Sequence, residues 1–158
     1  MHKLIIPDVI QEHPVRSLAR TNNAYEAAIA MKESNIGAIL IIDKKGKLEG
    51  IVTERDLTCR VIAADKAPKK TLLADIMTAD PKTLAPSDSA DDALEMMRRL
   101  RFRHLPVSQN DKLMGVVSIR DLYSVVKSGL EDNIRETEAF VFGDRYGAWY
   151  TNFEPFLN

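Results

Sequence analysis

Three side chains within four positions suit the capture of a sugar phosphate: the hydroxyl of Thr53, the guanidinium of Arg55 and the carboxylate of Asp56. They close the run Gly50-Ile51-Val52-Thr53-Glu54-Arg55-Asp56-Leu57, and the same order returns as Gly115-Val116-Val117-Ser118-Ile119-Arg120-Asp121-Leu122. Arginine is a forked donor matched to phosphate oxygens. A carboxylate repels phosphate but accepts hydrogen bonds from the vicinal hydroxyls of a ribose. Thr-x-x-Asp and Ser-x-x-Asp are equally the spacing of a capping box, in which hydroxyl and acid satisfy the first backbone N–H groups of a helix. Both readings put the motif where a strand runs into a helix, whose free N–H groups also attract an anion. One copy is a weak signal; two at equal depth are much stronger.

The repetition extends upstream at a fixed offset of 65 positions. Leu48 falls on Leu113, Leu40 on Leu105, Met31 on Met96 and Ala28 on Ala93, so the chain is an internal duplication. Each copy reads as strand, helix, strand, strand, helix. In the first, Val15–Ala19 is a short strand, Thr21-Asn22-Asn23 supplies an N-cap, and Ala27, Ala28, Met31 and Ile36 mark a helix face. The Ile-rich run from Ile36 to Ile42 suits a strand covered on both sides. Asp43–Lys47 is a polar hairpin turn, Leu48–Val52 the return strand, and Thr53 opens a helix to about Ala64. In the second, Lys82-Thr83-Leu84 is the short strand, Ser87-Asp88-Ser89 caps a helix, and Arg103–Val107 and Leu113–Val117 form the hairpin. Gly129 is expected to stop the last helix.

Composition excludes several classes. A chain of 158 residues, 45% hydrophobic and 28% charged, is long enough to bury a core and is not of disordered type. Its net charge of −1 gives no field that would favour nucleic acid or an anionic membrane. No apolar run is long enough to span a bilayer, and a cytoplasmic protein is expected. The single cysteine, Cys59, excludes an internal disulfide and is expected to be buried in a helix. His2 and His13 lack partners at ligand spacing, so no metal site is expected. No Ser-His-Asp order, phosphate-binding glycine loop or catalytic carboxylate pair appears, and an enzyme is not expected.

Taken together, the element order, the repeated Gly-h-h-[Thr/Ser]-x-x-Asp ending, the linker Asp75-Ile76-Met77-Thr78 and the run Arg103-His104-Leu105-Pro106-Val107 resemble a tandem pair of CBS domains, named after cystathionine β-synthase. The resemblance implies an α/β fold of two pseudo-symmetric repeats, 8–66 and 72–131, packed through their small sheets. It also implies two clefts for adenosine compounds, with AMP foremost among AMP, ADP, ATP, NAD and S-adenosylmethionine. No cofactor is required. A homodimer and an effector protein that responds to the ligand are the implied partners. An interaction scaffold with vestigial clefts is the alternative.

By position, the resemblance implies that Asp56 and Asp121 hold ribose while Thr53 and Ser118 contact phosphate or ribose, with Arg55 and Arg120 beside them. Ile36, Gly37, Ala38 and Ile39 would line the adenine slot of one cleft, and Phe102, Arg103, His104, Leu105 and Pro106 that of the other. Ser17, Leu18, Lys82 and Thr83 would border the clefts. At the 65-residue offset Ala38 aligns with Arg103 and Ile39 with His104, so one cleft is expected to favour anions. The tail, 132–158, is acidic and carries seven of the ten aromatics, which are expected to pack on the repeats or on a partner.

Overall fold

The computed structural model describes residues 3–12 and 14–142. Six strands and four α-helices carry the two repeats: β1 (Ser17–Leu18), α1 (Ala24–Ser34), β2 (Ala38–Ile42), β3 (Leu48–Thr53), α2 (Glu54–Asp56), β4 (Thr78–Ala79), α3 (Ala90–Leu100), β5 (His104–Gln109), β6 (Lys112–Ser118) and α4 (Ile119–Phe142). α2 continues as wider π-type turns over Leu57–Ile62. The first sheet runs β1-β2-β3-β4 and the second is the β5-β6 hairpin, joined by a parallel bridge from Leu84 to Val107.

Alternation along β2 divides its side chains between two interiors. Ile39 and Ile41, with Val52 of β3, enter a core with Ala27, Met31 and Val61. Ala38, Leu40 and Ile51 face the other way and meet Leu113 and Val116 of the second repeat, so the two sheets pack face to face. This is why the Ile-rich strand has no polar side. In the second repeat Leu105, Val107 and Val117 take the inner positions with Ala93, Met97 and Leu122. Burying each such Leu or Ile contributes roughly 1.5–3 kcal/mol.

Packing divides the chain differently from its order. Leu73 and Ile76, ahead of the second repeat, lie in the first core, and β4 adds to the first sheet. Ile5, at the other end, lies in the second core. The two segments are equivalent: Leu73 N donates to Asn22 O at 2.8 Å, and Ile5 N to Asp88 O at 2.9 Å.

The copies are not related by one offset. Asn23 and Ser89 cap α1 and α3, Asn35 and Arg101 close them in the left-handed region, and Ala38 and His104 open β2 and β5, all 66 positions apart. After the hairpin, Ala38 pairs with Thr53 and His104 with Ser118, and the offset is 65. The cause is one residue in the turn. The first hairpin closes over Asp43–Lys47, its Asp43 carboxylate accepting from Lys45 N and Lys47 N and Gly46 at φ +82°. The second closes over Asn110 and Asp111, both at positive φ, which matches the twist of paired strands. The alignment expected from sequence is therefore corrected: Gly37 is the counterpart of Arg103, and Ala38 that of His104. Met31 pairs with the buried Met97 rather than Met96, and Ala27 rather than the exposed Ala28 with Ala93.

Two further expectations are corrected. Gly129 does not stop α4: nothing lies within 4 Å of a Cβ built there, no proline follows before Phe142, and Lys127 pairs with Glu131 across it at 3.7 Å. A helical glycine costs only about 1 kcal/mol, too little to end a helix of good formers. Cys59 lies in the π-type turns but is exposed, because Val61 takes the inward position there. Of the tail aromatics, Phe140 and Phe142 fall within α4. Tyr146, Trp149, Tyr150, Phe153 and Phe156 lie outside the described residues.

Candidate functional site

Both repeated motifs form capping boxes. Asp56 Oδ2 accepts from Thr53 N at 2.8 Å and Thr53 Oγ1 at 2.7 Å, while Asp56 N donates to Thr53 Oγ1 at 3.4 Å. Asp121 Oδ2 accepts from Ser118 N at 2.9 Å and Ser118 Oγ at 2.6 Å, and Asp121 N donates to Ser118 Oγ at 3.3 Å. Capping uses one carboxylate oxygen in each copy. Oδ1 of Asp56 meets Arg60 Nε at 3.4 Å. Oδ1 of Asp121 has no ion-pair or hydrogen-bond partner among the described residues.

Each capped motif lines a cleft whose opposite wall comes from the other repeat. The Asp121 cleft, about 1460 Å³, joins Ser118, Arg120 and Asp121 to Ile36, Gly37 and Ala38. The Asp56 cleft, about 460 Å³, joins Thr53, Arg55 and Asp56 to Lys82 and the run Phe102–Pro106. Neither repeat alone makes a complete cleft, a direct consequence of the sheets packing face to face. The floor is Val116 on one side and Ile51 on the other, equivalent residues of β6 and β3.

Arg103 and His104 line both clefts. A Cβ at Gly37 would come within 3.2 Å of the His104 ring and 3.3 Å of Glu54 Cδ. Gly37 is glycine because the imidazole lies against it. Burial pushes the His104 pKa down; Glu54 and Asp121 raise it and Arg103 lowers it further.

Most of the expected site residues therefore lie on the two clefts, with four exceptions. Ile39 is fully buried in the first core and lines neither, because its neighbours Ala38 and Leu40 take the outward alternation of β2. Ser17 and Thr83 are also absent from both walls, where Arg16 and Lys82, one position earlier in each copy, take their place, and Leu18 packs against the first core instead. Arg16, Val15, Glu54 and Arg101 are cleft residues that the sequence reading missed. The signal for Arg16 is its equivalence to Lys82 at the 66-residue offset, legible only once the hairpins are recognised as unequal.

The CBS domain family matches residues 8–62 and again 73–128. The chain belongs to this family, and its fold is that of the tandem CBS pair. Among relatives, the Bacillus subtilis (strain 168) protein YlbB is 43% identical over 102 residues, covering 64% of this chain and 68% of YlbB. Among solved structures, a CBS-domain protein from Burkholderia ambifaria MC40-6 is 37% identical with a TM-score of 0.69, covering 72% of this chain and 82% of that one. The CBS domain protein PAE2072 from Pyrobaculum aerophilum, solved in complex with AMP, is 27% identical with a TM-score of 0.63, covering 70% of this chain and 84% of that one. The chain spans 54–68% of the length of four curated relatives that it matches.

Proposed function

We propose that this protein is a regulatory module that binds adenosine-containing ligands in the clefts between its repeats and passes the occupancy to a partner protein. The observation that carries the reading is the composite cleft. An acidic side chain fixed at a strand-to-helix junction stands across from the β2 or β5 lead-in of the other repeat. A flat base slides between apolar strand residues, a ribose diol donates to the carboxylate, and phosphates meet the arginines. The AMP complex of PAE2072 supports the same ligand class. Because both repeats contribute to each cleft, a ligand bridging them favours one mutual arrangement, which is the differential affinity that signalling requires. Pairing of two copies through helices belongs to this reading, and Tyr123, Leu130 and Ile134 are exposed along α4.

A purely architectural role for the motif is favoured by one observation, the completed capping boxes. Thermal unfolding with AMP, ATP, NAD and S-adenosylmethionine separates the two. Ligand at about 100 times its Kd adds roughly 2.7 kcal/mol. Asp121→Ala and Asp56→Ala should each lower the ligand-free stability by about 1 kcal/mol through the lost cap and remove the ligand's increment at their own cleft. Full ligand response in both variants would assign the carboxylates to architecture alone.

A further inference from the structure

The capping boxes match in the two copies, but what stands beside them does not. In each, the carboxylate Oδ2 accepts from a backbone N–H and from a hydroxyl. A carboxylate oxygen offers about two acceptor sites, so the cap fills Oδ2 and leaves Oδ1 to receive a ribose diol. At Asp121 that oxygen has no hydrogen-bond or ion-pair partner among the described residues. At Asp56 it faces the Arg60 guanidinium, whose Nε lies 3.4 Å away.

Arg60 is held there from its other side as well. It lies in the π-type turns over Leu57–Ile62, and its Nη1 donates to Ile76 O at 2.6 Å. Ile76 is buried in the first core, which makes its carbonyl a fixed anchor. Arg60 also lines the Asp56 cleft. The corresponding position after Asp121 is Val125, which has no side-chain donor and does not line the Asp121 cleft. Because the arginine side chain is half exposed, its pairing with Asp56 is weak and can be displaced. A diol arriving at Asp56 must share Oδ1 with this cation or push it aside, and it meets no such competitor at Asp121.

Resting on the reading that both clefts hold adenosine ligands through these carboxylates, we propose that Arg60 is a positioning residue that competes for the ribose-accepting oxygen of Asp56, so that the Asp121 cleft fills first. Calorimetric titration of the full chain with AMP and with its 2′,3′-dideoxy analogue tests this. AMP should bind at two sites about tenfold apart in affinity, the size of one hydrogen bond to a charged group. With the analogue, which lacks the diol, the two sites should converge. Asp121→Ala should remove the tighter AMP site and Asp56→Ala the weaker. Arg60→Met should tighten the weaker site for AMP about tenfold and leave its affinity for the analogue unchanged. Arg60→Lys, which keeps a cation beside Asp56, should stay close to the parent. Two sites that remain apart with the analogue, loss of the tighter site in Asp56→Ala, weaker AMP binding in Arg60→Met or an equal gain for both ligands would each overturn the proposal. AMP still binds in those cases; if it binds at neither cleft, the underlying nucleotide reading has failed and takes the proposal with it.

Discussion

The Asp121 and Asp56 clefts are built from equivalent elements, yet their differences are concentrated at the approach to β2 and β5. Gly37-Ala38 leads into one and Arg103-His104 into the other. The Asp121 cleft is the roomier of the two, and Arg103 and His104 border both clefts together with Gly37 and Glu54. The lesson concerns duplicated folds in general. Inner core positions are bound to match, because each closes an equivalent interior, whereas residues at the shared wall are free to specialise. Asp56 is tied to Arg60, while Asp121 has no such ion pair among the described residues, which extends the same asymmetry to the two capping carboxylates.

The largest effect expected tests the equivalence of the interiors. Ile39 and Leu105 occupy matching inner positions and are 0% and 1% exposed. Ile39→Ala and Leu105→Ala should each lower stability by about 2–5 kcal/mol, read by denaturant unfolding. Similar losses sharpen the comparison. A loss below about 1 kcal/mol at either site would break it, since that interior would then be able to collapse around the missing side chain.

Much of this architecture is legible in the sequence because it follows from alternation and capping. The Gly-h-h-[Thr/Ser]-x-x-Asp ending marks both strand-to-helix junctions, and the unbroken apolar run from Ala38 to Ile42 announces a strand with two buried faces. What misleads is the match at a constant 65. Leu40 over Leu105 and Met31 over Met96 are identities produced by apolar repetition, while the true counterparts are Pro106 and Met97. Hairpin length is set by turn geometry, and five loop residues against two flanked by an extra pair leave no gap visible to identity alone. The end of α4 escapes for another reason. Gly129 is a weak breaker, and whether a helix continues past one depends on the formers beyond it, here Leu130, Glu131 and Arg135.

The next effect is local to the shared wall. Gly37→Ala places a methyl group within 3.2 Å of the His104 ring, so the ring or the strand must shift. A cost of about 1–3 kcal/mol is expected, and His104→Ala in the same chain should recover most of it. The double-mutant cycle measures this directly as a coupling of about 1 kcal/mol or more. At the equivalent position Arg103→Ala should change stability by no more than about 0.5 kcal/mol, because that side chain is exposed. A Gly37→Ala penalty that persists without the imidazole would mean that strand β2, not His104, dictates glycine there.

The smallest effect distinguishes the two lead-ins by pH. His104 has no titratable counterpart, since Ala38 stands in its place. Burial lowers its pKa below the usual 6.5, Arg103 acts in the same sense, and Glu54 and Asp121 oppose them. The unfolded chain therefore binds a proton at a pH where the folded chain does not, and stability rises with pH across that interval. The contribution is complete above about pH 6.5 and is lost as the pH falls through the lowered folded value. Denaturant midpoints measured downward from pH 7.5 should decline more steeply for the parent chain than for His104→Ala. Equal slopes would mean that the attraction of Glu54 and Asp121 offsets the burial of the ring. The wall between the clefts would then carry no net preference for neutral imidazole, and its asymmetry would reduce to shape and to the arginines.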